Sequence, residues 1–149
     1  MAEFPSGVAI VTADGQDGAP RGMTCSSLCS VSVEPPVLLV CLRAESPTLA
    51  AVLAAGKFAV NFVHAGGHSV ASLFASGEPE RFERVRWAPG SAGPHLPQHS
   101  HATADCRIRG AERVGSHLIV LGEVYDVAHR HGQTPLLYGR RGFRHWPET

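Results

Sequence analysis

Glycine and proline set the scale of every element this chain can form. Sixteen Gly and eleven Pro are distributed through 149 residues, and they cut the apolar sequence into strand-length pieces, because neither residue is well tolerated inside a long helix. The clearest piece, Val37-Leu38-Leu39-Val40-Cys41-Leu42, lies between Pro35-Pro36 and Ser46-Pro47. Unbroken apolarity over that length predicts a strand that is central in its sheet and buried on both faces. Upstream, residues 8–12 are apolar and rich in β-branched types, and Asp14-Gly15 and Asp17-Gly18 are residue pairs suited to hairpin turns with positive φ. A strand is expected to return from Ala19 toward Leu28, with residues 31–33 continuing in extended form.

Helical signals are fewer. Ser46-Pro47-Thr48 joins an N-cap residue to proline at the first helical position, and Leu49, Val52 and Leu53 follow at helical spacing. This predicts a helix from Pro47 ended by Gly56. Residues 58–63 read as a strand, 69–75 as a short second helix, 87–98 as a surface loop, and 103–108 and 117–127 as an antiparallel pair of strands. The sum is one mainly β domain over residues 1–149, an antiparallel barrel of six or seven strands with short flanking helices.

Composition removes several classes of function. Thirteen Lys plus Arg balance thirteen Asp plus Glu, so no overall positive field draws the chain to nucleic acid or to anionic lipid. Cys25, Cys29, Cys41 and Cys106 contain no CxxC pair, which disfavours a zinc knuckle and suggests reduced thiols. The histidines His95, His99 and His101 sit beside Pro94 and Pro97 with no patterned carboxylate or thiolate, and they read as solvated side chains with no metal. Neither a dinucleotide-binding glycine fingerprint nor a phosphate-binding P-loop occurs. With no signal-like N-terminus and no membrane-length apolar stretch, a soluble cytoplasmic protein is expected.

Two clusters carry chemistry. Arg21-Gly22-Met23-Thr24-Cys25-Ser26-Ser27 places small hydroxylated residues and backbone N–H groups along an open strand edge, a surface suited to a planar heterocycle. Ser46-Pro47-Thr48, with Arg43 three residues before the cap, supplies the free N–H groups and positive end of a helix that favour a phosphate. These blocks, together with Phe4-Pro5-Ser6-Gly7-Val8, Pro35-Pro36 and the strand that follows, Lys57-Phe58-Ala59-Val60-Asn61, Arg81-Phe82, His117-Leu118-Ile119-Val120-Leu121-Gly122-Glu123-Val124 and Pro135-Leu136-Leu137-Tyr138, resemble in order and span the flavin reductase family.

That resemblance implies an FMN-binding split β-barrel with Greek-key-like antiparallel strands, acting as a homodimeric NAD(P)H:flavin oxidoreductase that supplies reduced flavin to a partner monooxygenase. It implies FMN, or less strongly FAD, with NADH or NADPH as co-substrate. It assigns Met23, Thr24, Cys25, Ser26, Ser27, Cys41 and Leu42 to the flavin, Arg43, Ser46 and Thr48 to its phosphate end, Arg81 and Phe82 to its tail, and Asn61 and Tyr138 to the same pocket. His117 matches the family histidine near the nicotinamide and is the catalytic candidate. The sequence departs from the family in three places. Only three residues precede Phe4 where a helix is usual, which would thin one wall of the pocket or dimer. Residues 99–105 are unusually polar. Gly139 and Gly142 predict a mobile tail. The first two departures sustain an alternative, a barrel that holds a flavin, haem or other planar ligand without reducing it, or one adapted to a different reaction.

Overall fold

The computed structural model describes residues 1–147. Its main sheet has seven strands, β2 (Ala9–Asp14), β3 (Pro20–Cys25), β4 (Leu28–Ser32), β5 (Val37–Arg43), β6 (Lys57–Val63), β7 (Ser100–Val114) and β8 (His117–His129). They lie in the order β3-β2-β6-β7-β8-β5-β4, and every pairing is antiparallel. The crossover from β5 to β6 spans the β7–β8 hairpin, which is the Greek-key step.

The two edge strands, β3 and β4, are neighbours in the chain, so the sheet must curl until its edges approach. Ser26 and Ser27 make that step. The Cys41 N–H donates to the Ser27 carbonyl, and the Ser27 hydroxyl donates to the Cys41 carbonyl. These bonds carry the β4–β5 ladder one residue further, and among the described residues no ladder joins β3 to β4, leaving a split barrel with an open seam. The single returning strand expected over residues 19–28 is accordingly broken in two, because its halves belong to opposite edges of the sheet.

Burial along β5 alternates, with Leu38, Val40 and Leu42 turned into the barrel and Leu39 and Cys41 facing out. Burial on both faces is therefore not realised. The strand is also next to the edge, not central, because only β4 lies beyond it. The outward row is apolar because it faces the seam, which an uninterrupted apolar run cannot reveal.

Helix α1 (Pro47–Ala55) begins at the expected residue, with the Ser46 hydroxyl accepting the Leu49 N–H, and Gly56 ends it at φ 68°. It covers the barrel interior, where Val11, Val40, Leu42, Val52, Phe58, Val60 and Val120 pack together. Gly122 is required there because a Cβ at this position would stand 2.5 Å from the Phe58 ring. Helix α2 (His68–Ala75) closes a second cluster of Val8, Ile10, Val63, Phe74, Leu96 and Leu136.

That second cluster is capped by a small sheet made of β1 (Ser6–Gly7), β9 (Leu136–Gly139) and β10 (Gly142–His145), in the order β1-β9-β10. The expected mobile tail is thus a paired hairpin. Its glycines oppose each other at the base of a two-residue turn, Arg140-Arg141, and β1 secures the other side.

Residues 87–98 do form a loop, but one held against the barrel, with Ala92 and Leu96 fully buried. His95 is not solvated. Its Nε2 is 2.8 Å from Oδ1 of Asp105, which is only 3% exposed, and Ser91 donates to the second oxygen of the same carboxylate. The carboxylate comes from β7, ten residues away along the chain. His99 and His101 are half-buried, and burial followed by neighbouring imidazoles holds both below the ordinary histidine pKa. Among the described residues no group of three or more His, Cys, Asp or Glu side chains is placed to hold a metal ion, and no helix is long and apolar enough to cross a membrane.

Candidate active site

The seam of the barrel opens onto a groove made of three cavities that share lining residues. The first, about 450 Å³, lies at the start of α1 and is lined by Met23, Thr24, Arg43, Ser46, Thr48 and Arg81. The second, about 220 Å³, shares Thr24 and Ala75 with the first and adds Ser26, Tyr138 and Phe143. The third, about 560 Å³, shares Ser26 and Tyr138 with the second and continues along Ser27, Leu39, Cys41 and Arg141. Cavities of a few hundred Å³ with an apolar lining and a few fixed polar groups are typical small-molecule sites.

The first cavity sets two arginines, Arg43 and Arg81, against one carboxylate, Glu45. Arg81 donates to the Phe74 carbonyl, its guanidinium lies over the Phe74 ring, and burial lowers its pKa without removing its charge. The ion pairs among the described residues leave both Arg43 and Arg81 without a carboxylate partner. Ser46 accepts the Leu49 N–H as the helix cap, so its own O–H remains available to donate into the cavity. Two cations and the positive end of α1 suit a phosphate.

The middle of the groove is narrower. Thr24 is anchored by donation to the Ala71 carbonyl of α2, Ser26 and Ser27 are exposed, and the Tyr138 ring packs obliquely on Phe143 with centroids 5.5 Å apart. Hydroxyls on one side and aromatic surface on the other fit the edge and face of a flat heteroaromatic ring. The residues present therefore fit a flavin mononucleotide, with its phosphate at the α1 end and its ring toward Tyr138.

Ten of the fifteen candidates from the sequence line this groove: Met23, Thr24, Ser26, Ser27, Cys41, Arg43, Ser46, Thr48, Arg81 and Tyr138. The other five do not. Cys25 and Leu42 point into the barrel, by strand alternation, and burial raises the Cys25 thiol pKa. Phe82 packs edge-on against Phe74 and Trp87 behind the cationic cavity. Asn61 is wholly buried. Its amide donates to the Ile10 carbonyl, the Thr12 hydroxyl and the Pro94 carbonyl, and its oxygen accepts the Leu96 N–H, so it ties the 87–98 loop to β2 and β6. His117 is exposed at the start of β8, bonded to Ser116 and directly opposite Arg43 on β5, which places it beside the cationic end and outside the groove lining. The end of α2, with Phe74, Ala75 and Gly77, and the β10 residue Phe143 also supply wall. No local motif marks them, because they meet the groove only after α2 and the hairpin have docked.

The flavin reductase like domain family matches residues 1–147. The chain is 47% identical over 148 residues to a flavin reductase (NADPH) from Lentzea aerocolonigenes, covering 98% of this chain and 86% of that protein. Its fold superposes with a TM-score of 0.91 on the Streptomyces globisporus NADH:FAD oxidoreductase solved with NAD and FAD fragments, at 32% identity and covering 98% of this chain and 88% of that one. It also matches the flavin reductase component of a bacterial two-component tryptophan halogenase with a TM-score of 0.88, at 30% identity and over 99% and 94% of the two chains. A split barrel with this groove, matched along nearly its whole length, belongs to the flavin reductase family.

Proposed function

We propose that the groove binds flavin and reduced nicotinamide together, with the flavin phosphate at Arg43, Ser46, Thr48 and Arg81 and the ring between Ser26, Ser27 and Tyr138. The protein is an NAD(P)H:flavin oxidoreductase. The observation that carries the site assignment is the continuity of the groove, cationic at one end and hydroxyl- and aromatic-lined in the middle.

A flavin held there would supply the redox chemistry, that of a hydride acceptor for reduced nicotinamide. The chain's own residues contribute position and charge. Arg43, Arg81 and the Ser46 and Thr48 hydroxyls hold the phosphate, which sets how far along the seam the ring lies. Ser27 is tied to Cys41 by two bonds, which holds in place the stretch whose N–H and O–H groups would meet charge that develops on a ring beside them. The third cavity leaves space for a second ring to stack in reacting geometry. His117, beside Arg43 at the rim, is assigned to contact with the nicotinamide end of the dinucleotide.

The functional unit is a homodimer. The edge strand β4 carries the exposed Val31, Val33 follows it at 89% exposure, and Phe4 stands open at the mouth of the third cavity. A second copy would cover this apolar edge and complete the pocket wall. The reduced flavin is passed to a separate flavin-dependent oxygenase, the arrangement named for the halogenase component.

Anaerobic oxidation of NADH and NADPH in the presence of FMN, FAD or riboflavin tests the assignment. Stoichiometric reduction of flavin is expected. Flavin binding without oxidation of either dinucleotide would favour the non-redox ligand-binding alternative. Sedimentation velocity at micromolar concentration tests the dimer, and a monomer that binds flavin tightly would exclude a shared site.

A further inference from the structure

Arg140 and Arg141, at the tip of the β9–β10 hairpin, both adopt positive φ, 50° and 60°. A two-residue hairpin loop of this kind ordinarily takes Asn-Gly or Gly-Gly, because a side chain in the left-handed region is strained. Here the glycines stand just outside the turn, at 139 and 142, and two arginines occupy the strained positions. Strain kept in this way points to a use for at least one side chain.

The two arginines differ in surroundings. Arg140 pairs with Glu3, and its N–H donates to the Ala2 carbonyl. Arg141 has no carboxylate partner among the described residues, and it lines the third cavity beside Ser27, Cys41 and Tyr138. It is the only charged side chain in that lining. The groove thus has a cation at each end, Arg43 with Arg81 beside α1 and Arg141 beyond Tyr138, with uncharged waist between them. Two ligands whose rings stack at the waist could each extend an anionic tail to a different end.

We propose that Arg141 is a specificity residue that binds the pyrophosphate of the incoming nicotinamide dinucleotide, resting on the placement of flavin phosphate at the α1 end. The same chemistry occurs in the pyrophosphate of FAD, and the two sources are separated by experiment. Arg141→Gly, Arg141→Gln and Arg140→Gly are compared with the parent protein, using NADH and 1-benzyl-1,4-dihydronicotinamide, a hydride donor without phosphate. NAD+ affinity is measured by calorimetry on flavin-saturated protein, FAD and FMN affinities by fluorescence, and thermal midpoints are recorded.

For both Arg141 variants the preference for NADH over the phosphate-free donor should fall about tenfold, and NAD+ should bind about tenfold more weakly, the scale of one charge-assisted hydrogen bond. The ratio of FAD to FMN affinity should stay constant. Arg141→Gly should melt no lower than the parent, since glycine relieves the turn, and Arg140→Gly should leave the NADH preference intact. Equal losses with both donors, unchanged NAD+ affinity, or a selective loss of FAD over FMN would each overturn the proposal. Parent protein that reduces flavin with neither donor would instead overturn the flavin-reductase site itself.

Discussion

The front of the groove wall and the buried side of the barrel obey different rules. On the front, Thr24, Ser26, Cys41, Arg43 and Ser46 face open space. On the buried side, the back, lie Cys25 and Leu42 from the same strands, together with Asn61 of β6 and Phe82. Successive residues of a strand point to opposite faces, so one step along β3 from Thr24 to Cys25, or along β5 from Cys41 to Leu42, passes from groove surface to core. Proximity in sequence to a groove residue is therefore poor evidence of lining the groove. Front residues should govern affinity at small cost to stability, and back residues should govern stability with little direct effect on affinity.

The largest expected effect belongs to the back. Asn61→Ala removes the amide that joins Ile10, Thr12 and Pro94 and leaves the Leu96 N–H unpaired in the core. A loss of about 2 to 4 kcal/mol in unfolding free energy is expected from urea denaturation, given the cost of stranding buried polar groups. Flavin affinity of the fraction that remains folded should be nearly unchanged. A selective loss of flavin affinity at normal stability would move Asn61 to the front.

Removing the front hydroxyls should do the opposite. Ser46→Ala combined with Thr48→Ala should weaken FMN by about 1 to 3 kcal/mol while riboflavin, which has no phosphate, changes little. Because Ser46 also caps α1, about 1 kcal/mol of stability should be lost as well. Equal losses for FMN and riboflavin would remove the phosphate from this end of the groove.

His117 belongs to neither wall, and its substitution separates a rim contact from a structural role. His117→Ala should raise KM for NAD(P)H or slow hydride transfer about threefold to tenfold while flavin affinity holds, as expected for one hydrogen bond made only when dinucleotide enters. Unaltered steady-state kinetics would leave His117 a surface residue.

The smallest effect is one of pH, at histidines outside the groove lining. His99 and His101 are held below the ordinary value of 6.5, first by burial and then by neighbouring imidazoles, His64 beside His99 and His129 and His64 beside His101. Below pH 6.5 the unfolded chain binds protons that the folded chain resists, so the stability contributed by the neutral rings is complete above that pH and is lost as pH falls toward the folded values. Thermal midpoints should drop between pH 7.5 and 5.5, and the drop should shrink in a His99→Gln, His101→Gln double variant. An undiminished drop in that variant would assign it to other groups.

What local sequence determines is local in its physics. A capped helix from Pro47 to Gly56, the hairpin turn after β2, and the β7–β8 pairing all follow from residues that contact near neighbours along the chain. The order of motifs likewise indicated the family and ten of the groove residues. The remaining features depend on where distant segments meet. Whether the outward face of β5 is covered depends on the seam, and the seam exists because β3 and β4 lie at opposite edges of one sheet. The His95–Asp105 contact needs a loop to fold back on β7. The hairpin that ends the groove is held by β1, about 130 residues earlier in the chain. Such long-range placements are decided by the closure of the whole sheet and by burial of its two cores, for which no short stretch of sequence contains the partner. Composition and spacing thus determined which strands form and which residues carry charge or hydroxyls, and tertiary packing decided which of those side chains share one surface.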